Sequence, residues 1–428
     1  MTEHHRVVVV GGGIVGAALL YWLARLGWTE SLLLERRELT SGSTWHAAGN
    51  TTFFGHYPQV TRLFVNSVKT YLAAEKESAQ SVSFHPTGSL RLANTHAELE
   101  AYRRLEPAYE ELGVPYRIVG PKEIAEIHPL LSTNDLFGAA YTPTDGHVDS
   151  SGATTALAKA ATARGAAIRR RTPVIDIVPC GRSWCLTTAS TTVRAEHVVL
   201  AASFWTRELV EKLGINLPLY PLQHHELVTE AVPGLRDLNF EVPTVRDPYA
   251  PANIRQEGHG FLCGVYESHP EFWALDGIPQ DFGEELLPPQ LERLEPHLAR
   301  VMERLPAFGS VGIKAVHNGP ICYTPDGLPL LGPVANHPGL WLASGFSVGI
   351  GMGGGSAEYL ARWIVTGKPA YDLPAVHPSR FSNDMPKGDC LRAIRQTYAR
   401  GYELPEPRVL STCGVLSNET LLNTREEN

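Results

Sequence analysis

The feature that most constrains the fold lies at the start of the chain. A β-branched run, Arg6 to Val10, opens directly onto Gly11-Gly12-Gly13-Ile14-Val15-Gly16. The stretch from Ala17 to Leu26 then carries Leu19, Leu20, Leu23 and Leu26 at helical spacing, and Gly27 stands where a helix-ending glycine belongs. A second apolar run, Ser31 to Leu34, ends on Glu35. This order of strand, glycine turn, helix, strand and acid is that of a dinucleotide-binding βαβ unit. A pyrophosphate needs backbone N–H groups at a helix N-terminus and no Cβ in its way, which makes Gly11, Gly13 and Gly16 candidate contacts. Glu35, about two dozen residues beyond Gly11, is spaced to hold a ribose diol. The motif alone does not choose between FAD and NAD.

Further along, Thr154 to Arg164 reads as a helix ended by Gly165, followed by strand-like Pro173 to Val178. A turn at Gly181 leads to strands at Trp184 to Thr188 and Val193 to Ala201. From Tyr220 to Glu267 short strands alternate with Pro and Gly, the pattern of an antiparallel sheet. Pro288 to Arg304 reads as helix. After Gly351 a glycine-rich turn precedes a helix at Ser356 to Thr366, closed by Gly367. The tail beyond Pro374 is proline-rich and weakly patterned. Nucleotide-type elements thus recur at the start, middle and end, with sheet-rich material between them. The expectation is a mixed α/β chain in which a Rossmann-like domain (1–80, 145–220 and 310–375) is interleaved with an antiparallel-sheet substrate domain (81–144 and 221–309), ahead of a tail at 376–428.

Composition limits the function. Of 428 residues 43% are hydrophobic and 19% charged, with a net charge of -8, which gives no clustered basic face for nucleic acid. The one short basic run, Arg169-Arg170-Arg171, reads as solvated surface. The six cysteines show no paired spacing and no zinc-type spacing with histidine, so they read as reduced thiols, and no metal site is expected. No apolar stretch reaches the ~20 residues of a membrane span, and Met1-Thr2-Glu3-His4-His5 does not open a signal peptide; the expected location is cytoplasmic.

A second motif follows the acid: Ser41-Gly42-Ser43-Thr44-Trp45-His46-Ala47-Ala48-Gly49. Small residues around one Trp and one His suggest a loop passing close to a flat ligand. By physics alone His46 is more often an ordinary hydrogen-bonded loop histidine than a special one. The segment nevertheless resembles the flavin-linking loop of dimethylglycine and sarcosine dehydrogenases, members of the D-amino-acid-oxidase-like flavoproteins. The same family's recurring stretches are matched by Pro221-Leu222-Gln223-His224, Arg246-Asp247-Pro248, Arg255-Gln256-Glu257, Asn318-Gly319-Pro320, Thr324-Pro325-Asp326-Gly327 and Gly345-Phe346-Ser347-Val348-Gly349-Ile350-Gly351.

The resemblance implies FAD, bonded covalently to His46. It places Ile14 and Val15 at the pyrophosphate turn and Glu35 and Arg36 at the ribose. Gly42, Ser43, Thr44, Ala47, Ala48 and Gly49 would lie along the isoalloxazine, Val174 at the adenine, and Trp205 as an aromatic contact. Gly345, Phe346, Ser347, Gly349 and Ile350 would meet the flavin N1–C2=O edge. It also implies oxidation of a secondary or tertiary amine with His224 at the substrate side, and leaves open whether oxygen or an electron-transfer partner takes the electrons. Deamination of a primary amino acid and a non-catalytic binding role are the alternatives. Oligomeric state is not legible.

The chain departs from the family pattern in places. Ala201-Ala202-Ser203 replaces the usual glycine-ended turn, and Glu226 and Asn253 stand where tyrosines are expected. Loss of those phenols makes dimethylglycine and sarcosine expected poor substrates. The family's C-terminal folate-binding domain would also need more chain than the 428 residues present.

Overall fold

Val7 to Val10 are buried on both faces, as the central strand of a parallel sheet requires. The computed structural model describes residues 3–53 and 58–402, arranged around two eight-stranded sheets. In the first sheet Glu3–Val10 pairs in parallel with Ser31–Leu34 on one side and Thr192–Leu200 on the other. Leu340–Ser344 and Ala167–Arg169 extend it in parallel, Leu330–Pro333 closes one edge antiparallel, and the Val174–Cys180 and Ser183–Thr188 hairpin joins Thr192–Leu200.

The second sheet runs, in spatial order, Ile313–Tyr323, Tyr220–Thr229, Gly260–Val265, Ala252–Glu257, Thr244–Asp247, Ser89–Ala93, Gly138–Thr142 and Arg117–Val119. Its pairings are antiparallel except where Thr244–Asp247 meets Ser89–Ala93. Ile313–Tyr323 lies fully in this sheet, so the chain returns to the nucleotide sheet at Leu330 and not at 310.

The first helix spans Ile14–Arg25 and is buried from Ile14 to Ala24. It starts three residues earlier than leucine spacing suggests, because the turn at Gly13 feeds straight into it, and Gly27 follows with a positive φ of 88°. Three more helices, Pro58–Ser78, Ser150–Ala163 and Gly349–Thr366, pack around it. The last of these corrects the expected glycine turn: Gly351 to Gly355 are helical. Glycine is used there for approach, since a Cβ on Gly355 would overlap the Leu63 carbonyl of the neighbouring helix.

Two other readings change. The stretch 288–304 is helical only from Glu295, after a single tight turn at Leu291–Arg293, because the prolines before it cannot donate to a helix and Pro296 suits its first turn. The tail contains a helix, Lys387–Ala399, whose Cys390, Ile394 and Tyr398 pack on Tyr220, Leu222 and Tyr323 of the second sheet. No helix among the described residues is long and apolar enough to cross a membrane. Cys180, Cys185, Cys263, Cys322 and Cys390 are free thiols, and Cys413 lies outside the described residues.

Candidate active site

The glycine turn is held open by its neighbours. Gly11 N–H donates to the Leu34 carbonyl at 2.9 Å, and Gly12 N–H donates to a Glu35 carboxylate oxygen at 2.6 Å. The other Glu35 oxygen accepts from Arg37 N–H at 2.7 Å, and burial raises the Glu35 carboxyl above its usual range. Gly13 brings no capping side chain of its own to the Ile14–Arg25 helix and no acid lies in its first turn; the side chain that meets the helix start is the Thr44 hydroxyl. The Gly349–Thr366 helix starts in the same way at Val348, with no capping side chain and no acid.

Both helix starts open into one cavity of about 1170 Å³ between the two sheets. The Ser41–Gly49 loop forms its middle. Thr44 Oγ1 accepts from Ile14 N–H at 3.2 Å, Ser43 Oγ donates to the Pro320 carbonyl at 3.0 Å, and Arg255 Nε donates to the Ala48 carbonyl at 2.8 Å. The loop is thereby tied to the first helix and to the second sheet. His46 faces the cavity with its ring against Gly319, where a Cβ would collide, and burial lowers its pKa to about 4. Its imidazole is therefore neutral at pH 7.

All the expected cofactor residues line this cavity except Gly16: Gly11, Gly13, Ile14, Val15, Glu35, Arg36, Gly42, Ser43, Thr44, His46, Ala47, Ala48, Gly49, Val174, Trp205, Gly345, Phe346, Ser347, Gly349 and Ile350. At Gly16 a Cβ would run into the Gly11 carbonyl oxygen, so this glycine lets helix pack on strand. Arg36 lies 4.9 Å from the Trp205 ring centre, and the Trp205 Nε1 is buried without a partner. The basic run is exposed surface laced with ion pairs: Arg169 pairs with Glu3, and Arg170 and Arg171 with Glu38, while Arg171 also reaches the cavity.

The second sheet supplies the facing wall. Strand alternation puts His224 and Glu226 on one face, with Gly319 and His317 directly across on the neighbouring strand. Asn253 lines the same wall and accepts a hydrogen bond from the Asn50 side chain at 3.1 Å. The Nδ1 of His224 is 2.8 Å from the Tyr398 hydroxyl, and burial lowers its pKa to about 3. Burial also raises Glu226 to about 7, against the pull of Arg255 and the Ala48 N–H.

Sequence reading assigned no role to Arg246, Tyr266, His317 or Tyr402, yet all four line the cavity. Arg246 makes no salt bridge among the described residues and its Nε lacks a hydrogen-bond partner. Tyr266 and Tyr402 restore phenols to a pocket that has Glu226 and Asn253 where tyrosines were expected. Strand parity from Gly260–Val265 could have flagged Tyr266. Tyr402 and Tyr398 needed the tail helix to be recognised first.

A long cavity that begins at a Gly-rich strand-to-helix turn with a buried acid and ends on polar side chains is that of a dinucleotide-dependent oxidoreductase. An anionic pyrophosphate fits the helix start beside Gly11 to Gly13, which has no acid in its first turn, and a flat ring fits between the His46 loop and Gly345–Ile350. The chain belongs to the FAD dependent oxidoreductase (DAO) family, whose model matches residues 6–363. It is 38% identical to mouse (Mus musculus) dimethylglycine dehydrogenase, mitochondrial, over 89% of this chain and 44% of that protein. It is 32% identical to human (Homo sapiens) sarcosine dehydrogenase, mitochondrial, over 94% of this chain and 44% of that one. The chain thus spans less than half the length of these curated relatives. Among solved structures, L-proline dehydrogenase from P. horikoshii superposes with a TM-score of 0.77 at 27% identity, covering 89% of this chain and 98% of that one.

Proposed function

We propose that this chain oxidises a C–N bond in a secondary or tertiary amine that also carries a carboxylate, an N-methyl amino acid or similar metabolite. We propose further that its FAD is attached covalently through His46. The observation that carries the reading is the shared cavity, with two helix starts free of acidic side chains and the His46 loop on one side and Arg246, Glu226, His224, Tyr266 and Tyr402 on the other. The names of the similar proteins support it, since dimethylglycine, sarcosine and proline are all amino acids whose nitrogen is secondary or tertiary.

When bound, FAD supplies the two-electron acceptor for a hydride leaving the carbon beside nitrogen. The iminium that remains on the substrate takes up water and splits into an amine and an aldehyde, and oxygen or an electron-transfer partner takes the electrons afterwards. Arg246, without a carboxylate partner among the described residues, holds the substrate carboxylate. Glu226, at about 7, is the group suited to attract a cationic amine and take its proton, since an ideal base sits near the working pH. His224 is too weak a base for that, at about 3; tied to Tyr398, it orients the substrate by hydrogen bonding. His46 is buried and neutral, which leaves a ring nitrogen with a lone pair for the bond to the flavin. Five free cysteines fit a reducing compartment such as the cytoplasm.

The covalent link is tested on a denaturing gel under ultraviolet light. A fluorescent band that disappears in His46→Ala is expected; colour removed by acid would refute attachment and leave FAD binding intact. Reaction class is read from products: aldehyde in step with substrate consumed is expected, and ammonia in its place would favour deamination of a primary amino acid.

A further inference from the structure

Away from the cavity, three side chains far apart in sequence converge at the edge of the second sheet. His85 and His147 form a short antiparallel bridge, each N–H donating to the other's carbonyl, at 2.9 and 3.2 Å. A Cβ on Gly146 would overlap the His85 carbonyl oxygen, so the close approach of the two strands depends on that glycine. The bridge sets the imidazoles side by side, with ring centres 4.7 Å apart and planes within 11°. Glu241, from the loop before Thr244–Asp247, reaches both: its carboxylate is 2.9 Å from His85 Nδ1 and 3.8 Å from His147 Nε2. The donor atoms of all three lie within 4.8 Å of one another.

The unexplained atom is His147 Nε2. It is buried and has no hydrogen-bond partner among the described residues, although a carboxylate faces it at 3.8 Å, too far to bond. A buried ring nitrogen that faces a carboxylate without bonding to it is left unsatisfied. A dication between them would satisfy the ring, the carboxylate and His85 together. Two imidazoles and one carboxylate suit a borderline ion such as Zn²⁺, in contrast to the all-oxygen shells of Ca²⁺ and Mg²⁺.

We propose that His85, His147 and Glu241 form a binding site for a divalent transition-metal ion of the zinc class, with water in the fourth position. None of the three lines the flavin cavity, so the ion is structural. Its effect is nevertheless transmitted to the cavity wall. Val148 N–H donates to the Gly49 carbonyl, and Thr51 N–H donates to the Gly146 carbonyl, both at 2.9 Å, so the strand that carries His147 is stitched to the end of the His46 loop. A bound ion would clamp that strand to the Glu241 loop.

The test uses the flavin-loaded protein, dialysed against a chelator and titrated calorimetrically with ZnCl₂, with melting temperature followed in parallel. One saturable site per chain and a rise in melting temperature are expected. His85→Ala and Glu241→Gln change exposed side chains and should fold; each should weaken zinc binding at least about tenfold and abolish the thermal shift. His5→Ala, at the surface His5–Glu3 pair, should change neither. Absence of stoichiometric binding, binding unaltered in both His85→Ala and Glu241→Gln, or binding lost only in His5→Ala would overturn the site and leave His85–Glu241 a plain ion pair.

Discussion

On the nucleotide side, the cavity is lined mostly by stretches of small residues: the turn at Gly11 to Gly13, the Ser41–Gly49 loop and the helix start at Gly349. On the facing sheet it is lined by side chains, brought by five separate segments: His224 and Glu226, Arg246, Asn253, Tyr266 and Tyr402. A main-chain wall requires that nothing be added to it, so it tolerates little beyond glycine and alanine and is written as short contiguous motifs. A side-chain wall can be re-specified one residue at a time without moving the strands. The first therefore reports what the family shares, and the second reports what this chain selects.

The largest expected effect breaks the packing behind the main-chain wall. Gly16→Val puts branched carbons where even a Cβ meets the Gly11 carbonyl, and overpacking against backbone should cost about 3 kcal/mol or more. Little folded, flavin-loaded protein should be recovered. A Gly16→Val protein with full flavin absorbance would show that the turn is softer than this account requires.

Changes on the facing sheet should spare flavin content and alter turnover. Arg246→Gln should raise KM for a carboxylate-bearing amine by about 10²-fold, since a charged partner is lost from a desolvated pair, and affect an amine without a carboxylate far less. His224→Ala should slow anaerobic flavin reduction by more than about tenfold. Equal losses for both amine types in Arg246→Gln would remove the carboxylate from the substrate assignment.

The smallest effect concerns stability. With Glu226 raised to about 7, the folded protein keeps a proton that the unfolded chain has already lost at a lower pH. Stability contributed by this site therefore falls as pH rises from the ordinary carboxylate range through about 7. Glu226→Gln should gain stability relative to wild type across that window, by on the order of a few kcal/mol at most. Melting temperatures of the two proteins compared from about pH 5 to about pH 8 check this. A constant difference would show that Glu226 is solvated or already neutral.

The same contrast explains what could be read in advance. Strand, turn, helix and Glu35 were legible because each is local and each has a backbone reason. The flavin loop became legible through resemblance; spacing alone left His46 an ordinary histidine. The facing wall was legible only where a matched stretch contained it, as at His224. Arg246 lay inside such a stretch without a role, and Tyr402 lies just past the Lys387–Ala399 helix in a segment whose proline content hid any helical pattern. Gly351 to Gly355 misled in the opposite direction: glycine looks like a turn in sequence, but here it lets two helices touch. Which residues approach across space is set by sheet order and helix packing, and single-chain periodicity does not encode either.

The central claim is that both walls act on one amine. Anaerobic titration of the flavin-loaded protein with matched pairs of N-methylated and primary amino acids, followed by flavin absorbance, tests it most directly. Complete bleaching by one or more N-methylated members, and little or none by their primary counterparts, is expected. Bleaching by the primary amino acids alone, or by no amine at all, would contradict it.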